Sequence, residues 1–324
     1  MLKQTLIVVI PMLLLGAGVG GWQSLNGPPA GRADDMSIGW DNVYLRWNLF
    51  AADKTHRLYR STNLGASWDS IIARYTDHPT CVVTHKDNGR IVFIGREDPD
   101  LMYHVMKSED GGESWVPKVN GITNPCPQCF AMHPENPDIV FLGCGEDNDG
   151  GIDEIFKTTN GGTDWSVLSS GLPPDLDVND LAITTTPTKG VKLLAATDNG
   201  VYYSFDGGSN WSKSNLTEEA DAVAYGSEFI GYAGTNDGLY QTTDGGVVWE
   251  KIGDFTSVKA IGVVNSNEVY IAGGGSKGKG VYYIRDNDIS FLSDIFARRI
   301  MIGPEGRVFI LSDRGVYAYR SNER

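Results

Sequence analysis

Residues 108–115 read SEDGGESW, and close copies of this stretch recur along the chain. The copies are STNLGASW at 61–68, TTNGGTDW at 158–165, SFDGGSNW at 204–211 and TTDGGVVW at 242–249. All five share one pattern: Ser or Thr, any residue, Asp or Asn, any residue, Gly, any two residues and Trp. Successive Trp residues lie 47, 50, 46 and 38 residues apart, and a period of this size indicates a repeat architecture.

Two further units extend the repeat toward the C-terminus. A weaker sixth copy, IRDNDISF at 284–291, keeps Asp286 and has Phe291 at the Trp position. A seventh unit contains RVFILSDRGVYAYR at 307–320, which has apolar runs but ends before any copy of the motif. The pattern therefore indicates seven units, of which five carry the intact motif.

Each unit has the same order of short apolar runs and turns. In the fourth unit these runs are LAITT at 181–185, VKLLAAT at 191–197 and VYYSF at 201–205, and a last short strand begins at the motif Trp. Such runs between Gly, Asn and Asp turns are typical of β-strands. Four strands in about 45 residues match one blade of a β-propeller. The sequence therefore predicts an all-β single propeller, with seven four-stranded blades favoured and six or eight blades as alternatives.

The predicted blade boundaries follow from the motif spacing. The inner strand of the first blade is expected near residues 41–45. The segment before residue 41 is expected to supply the missing outer strand of the last blade, which would close the ring and cover a sheet edge. The seven units span residues 37–75, 78–120, 126–170, 176–216, 220–253, 257–293 and 297–320.

The motif is expected at the turn between the third and fourth strands of a blade. Asp110 can accept hydrogen bonds from the N–H groups of the turn, Gly112 can adopt a positive φ, and Trp115 can bury a large apolar surface. A structural role is favoured over catalysis or metal binding, because five equivalent turns around a ring do not converge on one point. The residues at the four fixed positions are Ser61, Asn63, Gly65, Trp68, Ser108, Asp110, Gly112, Trp115, Thr158, Asn160, Gly162, Trp165, Ser204, Asp206, Gly208, Trp211, Thr242, Asp244, Gly246 and Trp249.

The motif resembles the Asp-box, also called the bacterial neuraminidase repeat, and residues 36–320 resemble the Asp-box β-propeller superfamily. That superfamily includes sialidases, sortilin-type receptors, xyloglucanases and the photosystem II assembly/stability factors, so the resemblance implies the fold and says little about function. The chain is closest in style to the assembly/stability factors. That likeness implies a non-catalytic scaffold that binds membrane subunits on the lumenal or periplasmic side, although only Arg298 and Arg299 match the arginine-rich binding patch of that family.

The N-terminus predicts export. Lys3 is followed by an apolar run, TLIVVIPMLLLGAGVGGW at 5–22, which is typical of a signal peptide or an uncleaved signal anchor. We expect residues 1–22 to be this segment, residues 23–36 to be a linker and residues 37–320 to be the propeller. The favoured arrangement is a transmembrane helix that holds the propeller on the periplasmic side of the membrane. Secretion after signal cleavage is the alternative.

The charge of the chain argues against one class of partner. The sequence has 27 Lys and Arg against 41 Asp and Glu, a net charge of −14, and shows no basic stripe. Nucleic acid is therefore not an expected partner, because phosphate binding needs local positive charge. A cationic protein surface is compatible with this charge. We expect integral membrane protein subunits as partners, a glycan as the alternative ligand, and no cofactor.

The four cysteines are predicted to form disulfides, because an even number in an exported chain favours them. Cys81 and Cys129 begin equivalent inner strands, and Cys144 ends the second strand of the third blade. The favoured pairing is Cys129–Cys144 with Cys81–Cys126, and Cys126–Cys129 is the rival. A redox CxxC motif, CPQCF at 126–130, and a zinc site are the open alternatives.

Two groups of residues are candidate metal ligands. His85 and His133 occupy equivalent strand positions and could join the thiols around zinc. The acidic loops REDPD at 96–100 and GEDNDGGIDE at 145–154 lie on the same rim as the cysteines, and the second resembles a fragment of a calcium loop. It lacks the full calcium-loop register and the distal Glu, so a solvated loop is favoured. The candidate calcium ligands are Asp147, Asp149 and Asp153.

The inner strands argue against an enzyme. A sialidase-like site would need three Arg for the substrate carboxylate, a Tyr–Glu pair and an Asp acid, and glycoside hydrolysis needs two carboxylates that face one cleft. The apolar inner strands offer no obvious pair, and the adjacent residues Arg298 and Arg299 are expected to point in opposite directions. We therefore predict a non-catalytic protein. The alternatives are a glycan-binding module, with Trp40 and Trp47 as a platform, and a glycoside hydrolase of the sialidase-like superfamily.

Overall fold

The computed structural model describes most of the chain that follows the N-terminal apolar run. Among the described residues, no helix is long and apolar enough to cross a membrane. Residues 1–20 of the predicted signal anchor, and the calcium candidates Asp147, Asp149 and Asp153, lie outside the described residues. The described residues are 21–25, 27–28, 33–53, 57–71, 78–97, 104–122, 126–145, 155–188 and 190–319.

The described residues form seven antiparallel sheets of four strands each, which confirms the predicted all-β propeller with seven blades. A first strand, β1 (Trp22–Ser24), precedes blade one. Blade one contains β2 (Asp35–Asp41), β3 (Arg46–Ala52), β4 (Leu58–Ser61) and β5 (Asp69–Ser70). Blade two contains β6 (Pro79–His85), β7 (Asn88–Arg96), β8 (Val105–Ser108) and β9 (Val116–Pro117). Blade three contains β10 (Pro127–Met132), β11 (Val140–Cys144), β12 (Ile155–Thr158) and β13 (Ser166–Val167).

The remaining blades follow the same order from the inner to the outer strand. Blade four contains β14 (Val178–Thr185), β15 (Val191–Thr197), β16 (Gly200–Ser204) and β17 (Ser212–Lys213). Blade five contains β18 (Ala220–Tyr225), β19 (Gly231–Thr235), β20 (Leu239–Thr242) and β21 (Trp249–Ile252). Blade six contains β22 (Thr256–Asn265), β23 (Glu268–Gly275), β24 (Gly278–Arg285) and β25 (Asp288–Ser293). Blade seven contains β26 (Ala297–Ile302), β27 (Val308–Ser312) and β28 (Gly315–Tyr319), with a short 3-10 turn at Pro304–Gly306.

Blade seven is completed by the N-terminal part of the described chain. β1 supplies its outer strand by pairing antiparallel with β28. This pairing covers the edge of β28, which would otherwise expose unpaired N–H and C=O groups. The segment expected to be a linker, 23–36, therefore contributes to strands at both of its ends. Gln23 and Ser24 lie in β1, and Asp35 and Met36 lie in β2.

The inner strand of blade one lies earlier in the chain than expected. β2 ends at Asp41, and the strand expected at 41–45 is instead the turn between β2 and β3. The Asp41 carboxylate accepts hydrogen bonds from the N–H groups of Val43 at 3.0 Å and Tyr44 at 3.1 Å. Such side-chain contacts stabilise a turn in place of a continued strand.

The weak sixth copy of the motif forms a different kind of turn. Asp286 and Asn287 have φ values of 49° and 72°, and Arg285 pairs with Asp288 across them. Positive φ at both central residues is characteristic of a type I′ hairpin, in which Asp and Asn are favoured. Phe291 remains 37% exposed, so this unit keeps its blade without forming the loop of the intact motif.

The two rims of the propeller are lined by different features. The motif rim is defined by the motif turns, from 61–68 to 242–249, and by the turns between the first and second strands of each blade. The polar rim is defined by the residues at which the inner strands begin, from Asp35 in blade one to Ala297 in blade seven. Because β1 is antiparallel to β28 with Trp22 opposite Tyr319, Trp22 lies at the motif-rim end of blade seven.

Apolar side chains fill the spaces between neighbouring blades. Between blades two and three, Phe93, Phe156 and Trp165 are buried in one cluster, and the rings of Phe93 and Trp165 meet edge to face at 6.3 Å. Burial of one such ring contributes about 1.5–3 kcal/mol before conformational entropy is counted. Packing between blades therefore holds the inner strands in their places around the central channel.

Candidate functional site

Each intact motif forms a turn closed by its own hydrogen bonds. In the second copy, the Ser108 hydroxyl donates to Asp110 Oδ1 at 2.8 Å and accepts from the Gly112 N–H at 2.8 Å. Asp110 Oδ1 also accepts from the N–H groups of Glu113 at 3.0 Å and Ser114 at 2.9 Å. The motif side chains are thus engaged within their own turn. The hydroxyls of Ser61, Thr158, Ser204 and Thr242 accept the equivalent bonds from Gly65, Gly162, Gly208 and Gly246 at 2.8 to 3.0 Å.

The motif Trp residues bind neighbouring blades together. All five are between 4% and 9% exposed. The Trp165 N–H donates to the carbonyl of Asn120 at 2.9 Å, and its indole N–H donates to the carbonyl of Lys118 at 3.0 Å. Both carbonyls belong to the chain that follows the outer strand of blade two. Blade three is therefore fastened to blade two through the motif, and these residues are not available as a binding site.

The three motifs with Asp should make stability depend on pH. Burial alone would raise the pKa of Asp110, but the hydrogen bonds from Ser114 and Ser108 outweigh it and hold this pKa below its usual value. The pKa values of Asp206 and Asp244 are lowered for the same reason. A lowered pKa in the folded state adds stability above the unfolded pKa, and this contribution is lost as the pH falls through the folded value.

We expect the triple variant Asp110→Asn, Asp206→Asn, Asp244→Asn to fold and to be less stable than wild type at pH 6. Asn is accommodated in this turn, since Asn63 and Asn160 occupy it in the first and third copies. The difference in urea midpoint should narrow as the pH falls below about 4, the ordinary pKa of Asp, because the wild-type carboxylates then become protonated. A difference that stays constant over this range would contradict the assignment.

A polar cavity of about 400 Å³ opens at the polar rim, and we call it the funnel. Six of the seven inner strands have an irregular register near this rim, for example between Pro79 and Cys81 and between Ala297 and Arg299. A bulge adds a residue to one strand and redirects its side chain. Six blades contribute a polar side chain next to such an irregularity, and blade one contributes Asp34, which directly precedes β2. These are Asp34, Thr80, Gln128, Asn179, Asp221, Lys259 and Arg298.

The bulge in blade seven corrects one expectation from the sequence. Arg298 and Arg299 were expected to point in opposite directions, yet both line the funnel. The alternation of side chains along a strand fails at the bulge, because two residues there oppose one residue of the partner strand.

The floor of the funnel is an ionic triad drawn from three inner strands. Arg299 Nε donates to Asp35 Oδ1 at 2.7 Å, and Arg299 Nη1 donates to Asp180 Oδ1 at 3.1 Å. Asp35 Oδ2 accepts from the Val82 N–H at 2.8 Å, and Asp180 Oδ2 accepts from the Val223 N–H at 3.1 Å. All four carboxylate oxygens therefore have donors. The sequence offered no obvious carboxylate pair on the inner strands, and the structure supplies one.

The two carboxylates and the guanidinium of the triad shift each other's protonation equilibria. The carboxylates of Asp35 and Asp180 raise the pKa of Arg299, so the guanidinium stays charged. Burial raises the pKa of Asp180, and the charge of Arg299 opposes this effect. Below the floor lies a second section of the channel, about 340 Å³ in volume, with Ile38 and Phe130 among its apolar lining residues. The triad thus separates a polar funnel from a more apolar channel.

The walls of the funnel contain basic side chains that form ion pairs, and acidic side chains outnumber them. Lys259 Nζ lies 2.8 Å from both carboxylate oxygens of Asp221, and Arg298 pairs with Asp313 at 2.6 Å. The acidic lining residues outnumber the basic ones by four to three. A surface of this kind attracts cationic groups. The charged lining residues are Asp34, Asp35, Glu97, Asp221, Lys259, Arg298 and Arg299.

The cysteines do not form the expected disulfides. All four are buried thiols in the structure, so neither the Cys129–Cys144 and Cys81–Cys126 pairing nor the Cys126–Cys129 rival is formed. A bulge at the start of β10 places Cys129 opposite Gly143 and Pro127 opposite Cys144. Cys129 therefore packs toward blade four, while Cys144 packs with Cys81 toward blade two.

The surroundings of the cysteines also do not favour the redox motif or the zinc site. Burial raises the pKa of the Cys81 and Cys129 thiols, which keeps them protonated and poorly nucleophilic. Within the part of the chain that the structure describes, no group of three or more His, Cys, Asp or Glu side chains could hold a metal ion. His85 ends its inner strand, whereas Cys81 lies near the start of the same strand.

The aromatic pair considered as a glycan platform lies at the motif rim. Trp40 and Trp47 are opposite each other in β2 and β3, and their rings meet edge to face at 5.3 Å. Both side chains are half-buried. They flank the turn 42–45 and are far from the funnel, at the other end of the same strands.

Comparison with known proteins supports the fold. No protein-family model matches the chain, and no curated protein matches it by sequence. Solved structures with a similar fold include YCF48 bound to a D1 peptide, with a TM-score of 0.69, 15% identity, and coverage of 94% of this chain and 99% of that one. Another is YCF48 from Cyanidioschyzon merolae, with a TM-score of 0.64, 14% identity, and coverage of 92% and 98%. A third is the streptogramin B lyase, with a TM-score of 0.64, 14% identity, and coverage of 93% and 97%.

At such low identities the similarity shows the shared propeller fold alone. One of these structures is named for a bound peptide and another for a lyase activity, so the fold does not decide between binding and catalysis. Membership of the Asp-box superfamily remains a resemblance of motif, spacing and architecture.

Proposed function

We propose that the protein is a non-catalytic scaffold that holds a cationic polypeptide segment of a membrane protein partner in the funnel. The observation that carries this proposal is the arrangement of one polar side chain from each blade around the Arg299–Asp35–Asp180 floor. Seven blades supply hydrogen-bonding groups to one small cavity, and the acidic excess favours Lys or Arg side chains of a partner.

The bonding of the two floor carboxylates supports a non-catalytic role. A general acid or base must exchange a proton with its substrate, and a nucleophile must present an oxygen to it. Each oxygen of Asp35 and Asp180 already accepts a hydrogen bond from Arg299 or from a backbone N–H. These bonds hold both carboxylates in place in the floor of the funnel, which is a structural role that needs no proton transfer.

The nature of the partner is inferred from the N-terminal sequence and from the resemblance to assembly factors. The apolar run at 5–22 favours attachment to a membrane on its periplasmic side. A similar propeller holds a D1 peptide, and by analogy the ligand here is a peptide segment of an integral membrane subunit. A photosynthetic reaction centre is the partner complex to examine first.

The test combines recovery from native membranes with matched changes of charge on the two rims. After gentle detergent extraction, the wild-type chain should recover an integral membrane subunit, identified by mass spectrometry and by cross-links to the funnel. The double variant Glu97→Gln, Asp221→Asn removes two acidic groups of the funnel and should weaken binding to the identified peptide about tenfold.

The matched control is Glu135→Gln, Glu228→Gln, which removes the same charge from one exposed and one half-buried side chain at the motif rim and should bind like wild type. Equal binding by both double variants would overturn the funnel as the docking site. Recovery of the chain alone from the soluble fraction would overturn the membrane partner, and a glycan screen would then be the next experiment.

A further inference from the structure

We propose that the turn between β2 and β3 inserts into a lipid surface, so that the propeller sits with its motif rim on the membrane and its funnel facing away, where it would hold a partner segment that extends well beyond the bilayer surface. This inference rests on the membrane attachment in the proposed function, and it adds a second contact and an orientation. The relevant side chains are Val43, Tyr44 and Leu45, which we call the apolar tip.

The apolar tip is three large apolar residues in a row that face solvent. Val43, Tyr44 and Leu45 are 62%, 61% and 66% exposed, which is unusual for consecutive residues in a soluble protein. The turn is held in this conformation, since the Asp41 carboxylate accepts two of its N–H groups. Leu45 has a φ of 53°, a region that residues other than glycine rarely adopt. The exposure is therefore built into the turn.

The residues around the apolar tip suit a membrane interface. The guanidinium groups of Arg46 and Arg90 lie 4.8 Å and 5.6 Å from the centre of the Tyr44 ring. Tyr and Trp are favoured at the boundary between lipid and water, and long basic side chains can reach the headgroups from there. Trp40 and Trp47 stand directly behind the tip as an aromatic pair.

The same rim carries further exposed apolar side chains. Phe205 and Val248 lie in the motif turns of blades four and five, and Phe229 lies in the turn between the first two strands of blade five. All three are among the exposed large apolar residues of the described chain. Lys192 stands 5.0 Å from the Phe205 ring and 4.5 Å from the Phe229 ring. The opposite rim is instead occupied by the charged funnel.

The direction of β1 shows at which rim the described part of the chain begins. Trp22 pairs with Tyr319 at the motif-rim end of blade seven, so the chain enters the propeller from that rim. The residues before it carry the apolar run that predicts a membrane anchor, although residues 1–20 lie outside the described part of the structure. Blade one, which bears the apolar tip, is the neighbour of blade seven. An anchored propeller would thus bring the tip toward the same bilayer.

The expected lipid surface is zwitterionic. The chain carries a net charge of −14, which disfavours an anionic membrane, whereas insertion of apolar side chains needs no surface charge. Another protein surface could also cover an apolar turn, and the experiment is designed to separate this outcome from lipid.

The test uses the full chain in nanodiscs of phosphatidylcholine, with an environment-sensitive NBD label on Tyr44→Cys. The four native thiols are buried, so labelling should occur at the introduced cysteine. The matched control is Asn236→Cys, in an exposed turn at the polar rim. We expect blue-shifted and more intense emission from the label at position 44 than from the same label at position 236 in the same nanodiscs.

Two further measurements make the outcome decisive. Brominated phosphatidylcholine should quench the label at position 44, and a blue shift without this quenching would show a protein contact and overturn the inference. Val43→Ser with Leu45→Ser in the labelled chain should remove the shift while flotation with the nanodiscs is retained. Flotation of the chain with the same emission from positions 44 and 236 would overturn the orientation and leave the scaffold proposal standing. A failure to float would instead remove the membrane attachment itself.

Discussion

Replacement of Arg299 by alanine should lower the free energy of unfolding by about 3 kcal/mol. The guanidinium bridges Asp35 and Asp180 at 2.7 and 3.1 Å, and both carboxylates are buried. Removing it leaves two buried negative charges without their shared counter-ion, and their loss of hydration is no longer offset. The expected value lies at the low end for buried pairs because Arg299 is 29% exposed to the funnel, where water screens part of the interaction.

Urea unfolding at pH 7 measures this effect, and the neighbouring arginine provides the control. Arg298→Ala removes the same side chain one residue earlier, but its partner Asp313 is exposed. An exposed ion pair contributes between about 0 and 1 kcal/mol, so Arg298→Ala should cost little. A loss for Arg299→Ala no larger than that for Arg298→Ala would show that the triad does not hold the inner strands together.

The pH dependence of the stability of Arg299→Ala is an independent test of the role of Arg299 as a counter-ion. Burial raises the pKa of Asp180, and the variant lacks the main charge that opposes this effect. A carboxyl group with a raised folded pKa costs stability above that pKa, and the cost disappears as the pH falls. The gap between variant and wild type should therefore narrow from about pH 7 to pH 4. Adding Asp35→Asn and Asp180→Asn should restore much of the lost stability at pH 7, because the buried charges are then gone.

The blades could be predicted from the sequence because their determinants are local. The hydroxyl of Ser108 accepts a hydrogen bond from the N–H of Gly112, four residues later. Within each of the first six blades, every strand pairs only with strands that are adjacent to it in the chain. A turn with fixed chemistry, repeated at a blade-sized spacing, is enough to specify the architecture. The weak sixth copy keeps the blade-sized spacing, although it forms a type I′ hairpin instead of the motif loop.

The floor of the funnel could not be found in the same way. Arg299 contacts Asp35 across 264 positions of sequence and Asp180 across 119, and no local pattern joins them. The motif spacing places the inner strand of blade one too late in the chain, and Asp35 then falls in the predicted linker. With the strand at its true position, Asp35, Asp180 and Arg299 align as one equivalent residue of three blades. That alignment is the signal that would have indicated the triad.

The bulges explain the remaining errors. A simple antiparallel register would place Cys129 opposite Cys144 and would turn Arg298 away from Arg299. One extra residue at the start of β10 and of β26 changes both relations. Bulges have no reliable sequence signature, and they re-aim side chains near binding and active sites. Six of the seven blades thus place polar side chains in the funnel next to irregularities that the simple alternation of side chains along a strand does not predict.

Trp165→Ala should destabilise the protein by about 4 kcal/mol, the largest loss expected for a single substitution here. Trp165 is 5% exposed, contacts Phe93 edge to face, and donates two hydrogen bonds to the chain that follows blade two. The substitution leaves a cavity between blades two and three and removes the hydrogen-bond donor to the Lys118 carbonyl. The hydrogen bond from the Trp165 backbone N–H to Asn120 is retained. The expected loss has three causes: the apolar ring is no longer buried, a cavity remains, and one hydrogen bond is broken.

Phe291→Ala is the matched control, because Phe291 holds the equivalent position in the unit that lacks the motif loop. It is 37% exposed and contacts Tyr282 with ring centres 5.0 Å apart, so its removal should cost about 1 kcal/mol or less. Urea unfolding of both variants at pH 7 measures the difference. A similar loss for the two would mean that the motif Trp contributes only as an exposed aromatic residue, and that the cohesion of neighbouring blades comes from the inner strands alone. A larger loss for Trp165→Ala would instead show that the motif turns hold neighbouring blades together. The inner strands then need not supply all of the contacts between blades, and they can carry charged side chains around the centre of the ring.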